Sequence, residues 1–208
     1  MNKIEQNLFK QKALQFALSF DVFCCLDSNQ YKDEYSNYEY LIAIGNQNEL
    51  NANYGDALAQ LKSFYELHKD WIFGLLSYEL KNEVEDLKTN HTDKLNFPDL
   101  YFFIPEYLIA IQCDDIHVLK GDQSIINSIY DIELVDNLPL PKVKIEHRFT
   151  KKEYIETVEK LQNHIKRGDI YEVNFCQEFF AENAEINPLV IFQELNQLSP
   201  TPFAGFFK

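Results

Sequence analysis

The segment EYLIAIQCDDIHVLKG (106–121) limits the possible folds more than any other part of the chain. Two apolar runs flank Asp114 and Asp115, which are residue types that suit a tight turn. This pattern predicts a β-hairpin, and two strands joined by a tight turn run antiparallel. The fold is therefore expected to contain an antiparallel sheet.

Short apolar runs elsewhere in the first 136 residues predict further strands. They are DVFCCL (21–26), YLIAIG (40–45) and WIFGLLSYEL (71–80). Helical periodicity predicts helices over 4–19, 56–68 and 122–131. Together these elements predict an α+β fold in which helices pack outside antiparallel sheets.

A second segment starts after residues 137–149, which carry two prolines and no periodicity and are interpreted as a linker. Thr150 and Glu153 have the spacing of a capping box, so a helix should begin there. Gly168 then stops an apolar stripe of helical period, formed by Tyr154, Val158, Leu161 and Ile165. The predicted domains are residues 1–136 and 150–208, joined by this linker.

The stretch RGDIYEVNFCQEFF (167–180) alternates like a strand, which we predict over 170–179. Asn187-Pro188 then opens a further helix that ends before SPTPF. The last run, FAGFFK (203–208), is interpreted as a strand cut partway, with an apolar face that lacks its sheet partners.

Charge and cysteine content exclude some classes of function. The net charge is −14, which disfavours binding to nucleic acid. No apolar run reaches about 18 residues, so no membrane span is predicted. The four cysteines, Cys24, Cys25, Cys113 and Cys176, lack metal-site spacing and indicate reduced thiols in a cytoplasmic protein.

Residue types alone indicate no catalytic group. The six glycines form no phosphate-binding loop, and the five histidines share no metal-site spacing. Asp169, Glu172 and Glu178 could act as acids or bases, but a helix-stop aspartate and two strand carboxylates explain them more simply. Neither a catalytic residue nor a metal ligand is therefore assigned.

The order of the segments carries more information than any single residue. FTKKEYIETVEKLQNHIKRGDIYEVNFCQEF (149–179) resembles the start of the chorismate-binding domain in the large subunits of anthranilate synthase and aminodeoxychorismate synthase. That family usually has GD-[IC]-Y-Q-V-N-L, so Glu172 and Phe175 replace glutamine and leucine. LSPTPFAGFFK (198–208) is similar to its N-P-x-P-[YF] segment, with Ser199 in place of asparagine.

Three earlier segments resemble the amino-terminal domain of the same family, in the same order. They are CCLDSN (24–29) for L-E-S, GLLSYELKNEVEDL (74–87) for G-x-x-x-Y-[DE], and FPDLYFFIPEYLIAI (97–111) for the following P-D strand. The resemblance covers almost the whole chain. It implies an anthranilate-synthase-like amino-terminal domain followed by the first elements of the chorismate-binding domain.

The resemblance implies the amino-terminal part of aminodeoxychorismate synthase component I. The whole enzyme would aminate chorismate, with Mg²⁺ as cofactor and ammonia from a glutamine amidotransferase subunit, towards 4-aminobenzoate and folate, in a transaminase or lyase type of reaction. The short amino-terminal segment and the departure of CCLDSN from L-L-E-S favour this branch. The alternatives are anthranilate synthase component I of tryptophan biosynthesis, a non-catalytic aromatic-ligand-binding module, and an α+β domain with no ligand.

The family's catalytic lysine or alanine, histidine and two magnesium-binding glutamates lie in segments that residues 1–208 do not contain. No catalytic residue is therefore carried over. We expect these residues alone to be inactive and to bind no cofactor.

One ligand site of the family maps onto this chain. Some large subunits hold tryptophan in the amino-terminal domain, between the L-E-S and P-Y-x segments. The resemblance places this site at Leu26, Asp27, Ser28, Pro202, Phe203 and Ala204. Aromatic and proline surfaces would enclose the indole, while a hydroxyl and a carboxylate meet the amino-acid head. In the alternative interpretation, Asp27 and Ser28 cap a loop and Phe203 belongs to the core.

Overall fold

The computed structural model describes residues 1–32, 34–85, 87, 95–135 and 142–208. The helices are α1 (Lys3–Ala17), α2 (Ala57–His68), α3 (Lys81–Val84), α4 (Ile125–Tyr130), α5 (Lys151–Arg167) and α6 (Pro188–Leu198). The strands are β1 (Phe23–Asp27), β2 (Tyr40–Ile44), β3 (Asn48–Ala52), β4 (Phe73–Leu76), β5 (Leu100–Ile104), β6 (Tyr107–Gln112), β7 (Asp115–Lys120), β8 (Glu146–His147), β9 (Phe179–Phe180) and β10 (Ala204–Phe207). Every strand pair is antiparallel within the described residues, which confirms the predicted α+β class.

The chain forms two units. One comprises Met1–Asp136 with Phe192–Lys208, and the other comprises Asn137–Ile191. Residues 192–208, which the sequence assigned to the second domain, lie in the first unit because β10 pairs with β1. The predicted domain bounds, 1–136, 137–149 and 150–208, stay predictions. Residues 137–141 of the linker lie outside the described part of the chain.

Two sheets build the first unit. The first sheet has the strand order β10-β1-β2-β6-β7, and the second has β3-β5-β4. One face of the first sheet contacts the second through a cluster of buried apolar side chains: Cys24, Ala43, Phe73, Phe103 and Leu108. The hydrophobic effect of burying this layer holds the two sheets together.

Helix α1 covers the other face of the first sheet. It begins with a capping box between Asn2 and Glu5, and its inward side buries Phe9, Ala13 and Ala17 completely. The ring of Phe9 packs on that of Tyr130 in α4, with 5.7 Å between centroids. These contacts fix the backbone of α1 over the sheet.

The predicted hairpin is present, but its turn lies one residue earlier than expected. Gln112 pairs with Asp115, so the turn residues are Cys113 and Asp114. Both have positive φ, 53° and 67°, as a two-residue turn of type I′ requires. Asp115 is therefore the first residue of β7.

The capped helix of the second unit is confirmed. The Thr150 side chain accepts the Glu153 N–H, the Glu153 carboxylate accepts the Thr150 N–H at 2.8 Å, and Gly168 ends α5 in the left-handed region with φ of 82°. These signals are local in sequence, which is why the prediction succeeded.

The strand predicted over 170–179 is wrong. Residues 169–178 are described and have no regular secondary structure; only Phe179 and Phe180 pair, with β8. Alternation alone does not make a strand, because the backbone groups need a partner. Tyr171 is 93% exposed, whereas Phe175 packs on Phe149 and Tyr154.

The apolar end of the sequence does have sheet partners, contrary to the prediction. In β10, Ala204 pairs with Asp27 and Phe207 with Cys24. Phe206 contacts Phe23, at 5.5 Å between ring centroids, and Phe207 contacts Phe103 at 6.0 Å. Both faces of β10 are therefore packed.

Candidate functional site

The carboxyl end of β1 brings together most of the residues predicted to bind tryptophan. Asp27 lies in register between Tyr40 of β2 and Ala204 of β10. Register partners in an antiparallel sheet project from the same face, so these three side chains share the face that α1 covers. Leu26 projects from the opposite face, where its side chain lies beside Gly205.

Lys10 of α1 reaches down to Asp27. Its Nζ lies 2.8 Å from Asp27 Oδ1, and the two side chains are only 12% and 11% exposed. The same Nζ lies 5.2 Å from the centroid of the Tyr40 ring, within the range of a cation–π contact. Asp27 Oδ1 also accepts the backbone N–H of Asn29 at 2.8 Å. The negative charge of the Asp27 carboxylate is therefore balanced by Lys10, and the carboxylate is hydrogen-bonded in a position with little exposure to solvent.

Ser28 follows Asp27 in the sequence, and its backbone groups form hydrogen bonds at the start of the next loop. Its backbone N–H donates to Glu39 O at 3.0 Å, and its carbonyl accepts the Tyr31 N–H at 2.9 Å. Its Oγ is buried and has no hydrogen-bond partner among the described residues. A buried hydroxyl without a partner is unusual and leaves a donor and an acceptor available.

Asn29 ties this loop to the segment that precedes β10. Its Nδ2 donates to Asn196 Oδ1 at 2.7 Å and to the Thr201 carbonyl at 2.8 Å. Asn196 Nδ2 returns a hydrogen bond to Asn29 Oδ1 at 3.0 Å. This amide pair positions the loop that carries Pro202 and Phe203 next to the end of β1.

The groups around the ion pair are neutral. Cys25 lies two residues before Asp27 and shares its face of the sheet. Burial raises the pKa of the Cys25 thiol to about 12, and burial also raises the pKa of Tyr40 well above its ordinary value. Both stay protonated near neutral pH, so charge at this face comes from Lys10 and Asp27.

The six predicted residues thus occupy three kinds of position. Asp27 and Ala204 are register partners and Ser28 follows Asp27 in the chain, Leu26 lies on the far face, and Pro202 and Phe203 form an exposed rim. Phe203 is 89% exposed, so the alternative that made it a core residue is wrong. The Asn29 N–H bonded to Asp27 agrees with the loop-capping alternative. Tryptophan binding at these residues stays a prediction.

Sequence reasoning missed Lys10, Asn29, Tyr40 and Asn196. Asn29 is the last residue of the resembling segment CCLDSN (24–29) and could have been included among the site residues. Lys10 is one of several lysines on an amphipathic helix, and no local pattern marks it as a partner of Asp27.

Two of the carboxylates considered as acids or bases, Asp169 and Glu178, have structural partners. Hydrogen bonds from Arg167 and then His164 lower the pKa of Asp169, whose Oδ2 lies 2.7 Å from His164 Nδ1. Glu178 pairs with Arg148 at 2.8 Å. Asp169 agrees with the interpretation as a helix-stop residue, whereas Glu172 and Glu178 do not lie in a strand, so that part of the simpler interpretation is wrong.

Other parts of the described chain offer weaker candidates. One surface concavity is lined by Tyr65 with residues 69–72, and another by residues 142–144 and 146 with 181–185; neither includes any of the six predicted residues. Where the structure is described, no three His, Cys, Asp or Glu side chains are placed to hold a metal ion. Nor is any described helix both long and apolar enough to cross a membrane.

Comparisons with known proteins agree on one group of enzymes. A family model described as chorismate binding enzyme matches residues 21–208. Anthranilate synthase component 1 of Buchnera aphidicola subsp. Pemphigus spyrothecae is 31% identical over 170 residues, covering 68% of this chain and 30% of that protein. Aminodeoxychorismate synthase component 1 of Bacillus subtilis (strain 168) is 23% identical over 153 residues, covering 65% and 32%.

A solved structure supports the fold. The crystal structure of anthranilate synthase component I from Streptococcus pneumoniae TIGR4 matches with a TM-score of 0.62 at 18% sequence identity, covering 82% of this chain and 47% of that one. The chain spans about a third of the length of the curated relatives it matches.

Proposed function

Since the chain belongs to the family of chorismate binding enzymes, we propose that it is the amino-terminal part of aminodeoxychorismate synthase component I. The observation that carries the proposal is the family match over residues 21–208, with the motif GDIYEVN inside it. The whole protein would aminate chorismate in the cytoplasm, with ammonia from a glutamine amidotransferase subunit, towards 4-aminobenzoate and folate.

The short amino-terminal segment and CCLDSN favour the aminodeoxychorismate branch. The second candidate is anthranilate synthase component I, and the 31% identity to a component of that name supports it. Both candidate enzymes belong to the same family, so the two functions are distinguished by which product the reaction forms.

Magnesium belongs to the proposal only for the whole enzyme. Within the described residues, no three His, Cys, Asp or Glu side chains are placed to hold a metal ion. We therefore assign no metal ligand in this chain and derive no step through the ion.

An activity assay of the protein encoded by the whole reading frame tests the proposal. The full-length protein, purified with its glutamine amidotransferase partner, is given chorismate, glutamine and Mg²⁺, and products are separated by chromatography. We expect aminodeoxychorismate, which an added lyase converts to 4-aminobenzoate, and no product from residues 1–208 alone. Anthranilate would favour the second candidate, and absence of both products with full-length protein would contradict both.

We also propose that the end of β1 and the loop before β10 form a tryptophan site. The proposal is supported by the adjacency of Asp27, Ser28 and Ala204 and by the buried Ser28 hydroxyl without a partner. Phe203, exposed on the rim, would close over the indole, since aromatic rings are favourable partners for one another. Saturable binding of tryptophan in a calorimetric titration of the full-length protein is the expected result.

A further inference from the structure

We propose that Lys10 competes with the ammonium group of a bound amino acid for Asp27, so that the protein holds its own site closed. This inference rests on the proposed tryptophan site. It assigns an autoinhibitory role to an ion pair between the first helix and the first strand of the chain.

The contacts of Asp27 carry the inference. Its Oδ1 already receives Lys10 Nζ at 2.8 Å and the Asn29 N–H at 2.8 Å. A zwitterionic amino acid would offer a second ammonium group to the same carboxylate. Two cations a few ångströms apart repel where little water separates them, so a ligand ammonium group that binds Oδ1 should displace Lys10 from it.

Lys10 can leave while its helix stays. Phe9 and Ala13 anchor α1 with fully buried side chains, so its backbone is fixed. The lysine ammonium sits on a flexible four-carbon stem and is strongly hydrated in water. Displacement therefore requires a change in the rotamer of the Lys10 side chain and no movement of the sheet.

The competition weakens ligand binding to an extent set by the fraction of molecules in which Lys10 has left Asp27. If a ligand binds only the molecules in which Lys10 is displaced, its apparent association constant is the intrinsic constant multiplied by the fraction of those molecules. Removing the charge of Lys10 frees Asp27 and should raise the affinity for tryptophan. A ligand without an ammonium group should escape the competition.

The test is a calorimetric titration of the full-length protein and its variants with tryptophan. We expect Lys10→Gln to bind tryptophan about tenfold more tightly than the wild type. Lys3→Gln is the matched control, because it removes the same charge from an exposed position on the same helix, and it should bind like the wild type. Equal affinities for wild type and Lys10→Gln would overturn the inference.

A second measurement needs no variant, in case Lys10→Gln fails to fold. Indole-3-propionate has the ring and carboxylate of tryptophan but no ammonium group, so the wild type should bind it more tightly than tryptophan. Tighter binding of tryptophan by about tenfold would show that Asp27 is free to receive the ligand and would overturn the inference. If neither compound binds wild type or Lys10→Gln at about 10 mM, the tryptophan site itself is wrong, and the inference falls with it.

Discussion

Replacing Gly74 by alanine is expected to lower the free energy of unfolding by about 3 kcal/mol. Gly74 lies in β4 opposite Phe102 of β5. An added Cβ would lie 2.7 Å from Phe102 Cα and closer still to the Tyr101 carbonyl oxygen. β5 is the middle strand of the second sheet, and its Phe103 is fully buried, so this backbone has no room to yield. Urea unfolding curves of wild type and Gly74→Ala measure the loss.

Gly205→Ala is the matched control in another strand. A Cβ there would meet its nearest neighbours, Cys25 O and Leu26 Cδ2, at 3.5 Å, which is ordinary van der Waals contact. We expect a change within about 0.5 kcal/mol. Equal losses in the two variants would contradict the steric explanation, because both replace a strand glycine by the same residue.

Replacing Asp27 by alanine is expected to lower the free energy of unfolding by about 1 to 3 kcal/mol, because the variant breaks the ion pair with Lys10, whose ammonium group can then turn towards water. The variant also removes the acceptor of the Asn29 N–H. Chemical denaturation at neutral pH measures the change. The double variant Lys10→Met with Asp27→Leu removes both charges and should recover much of the loss.

Glu66→Ala is the control for this ion pair. Glu66 forms an (i, i+4) pair with Lys62 on α2, with 3.9 Å between the charged atoms and side chains 63% and 77% exposed. Such a surface pair contributes about 0.5 kcal/mol or less. If Asp27→Ala lowers the free energy of unfolding by no more than Glu66→Ala does, the ion pair between Lys10 and Asp27 does not stabilise the fold as described.

Elements with local signals were predictable from the sequence. The capping box at Thr150 and the glycine at 168 determine the ends of α5 through hydrogen bonds within a few residues. The hairpin of β6 and β7 was found within one residue, because apolar strands and a short polar turn lie next to each other in the sequence. Neither prediction needed distant contacts.

No correct prediction followed from the sequence for β3 or for residues 170–178, because their structure depends on whether a distant strand pairs with them. NELNA, the sequence of β3, is polar and forms a strand only because it pairs with β5 along its whole length. Residues 170–179 alternate like a strand, yet only Phe179 lies in one, since the rest pair with no strand in the described part of the chain. The candidate site follows the same rule: the resembling segments located Asp27 and Ala204, whereas Lys10 came only from the packing of α1.

The pairing of β10 with β1 has a consequence for synthesis on the ribosome. About 180 residues separate the partners, so this contact has one of the longest sequence separations in the chain. β1, β2, β6 and β7 can assemble early, but the outer edge of β1 waits until β10 has left the exit tunnel. During that interval an apolar strand edge is open to mispairing, and chaperone binding to the nascent chain would be most valuable there.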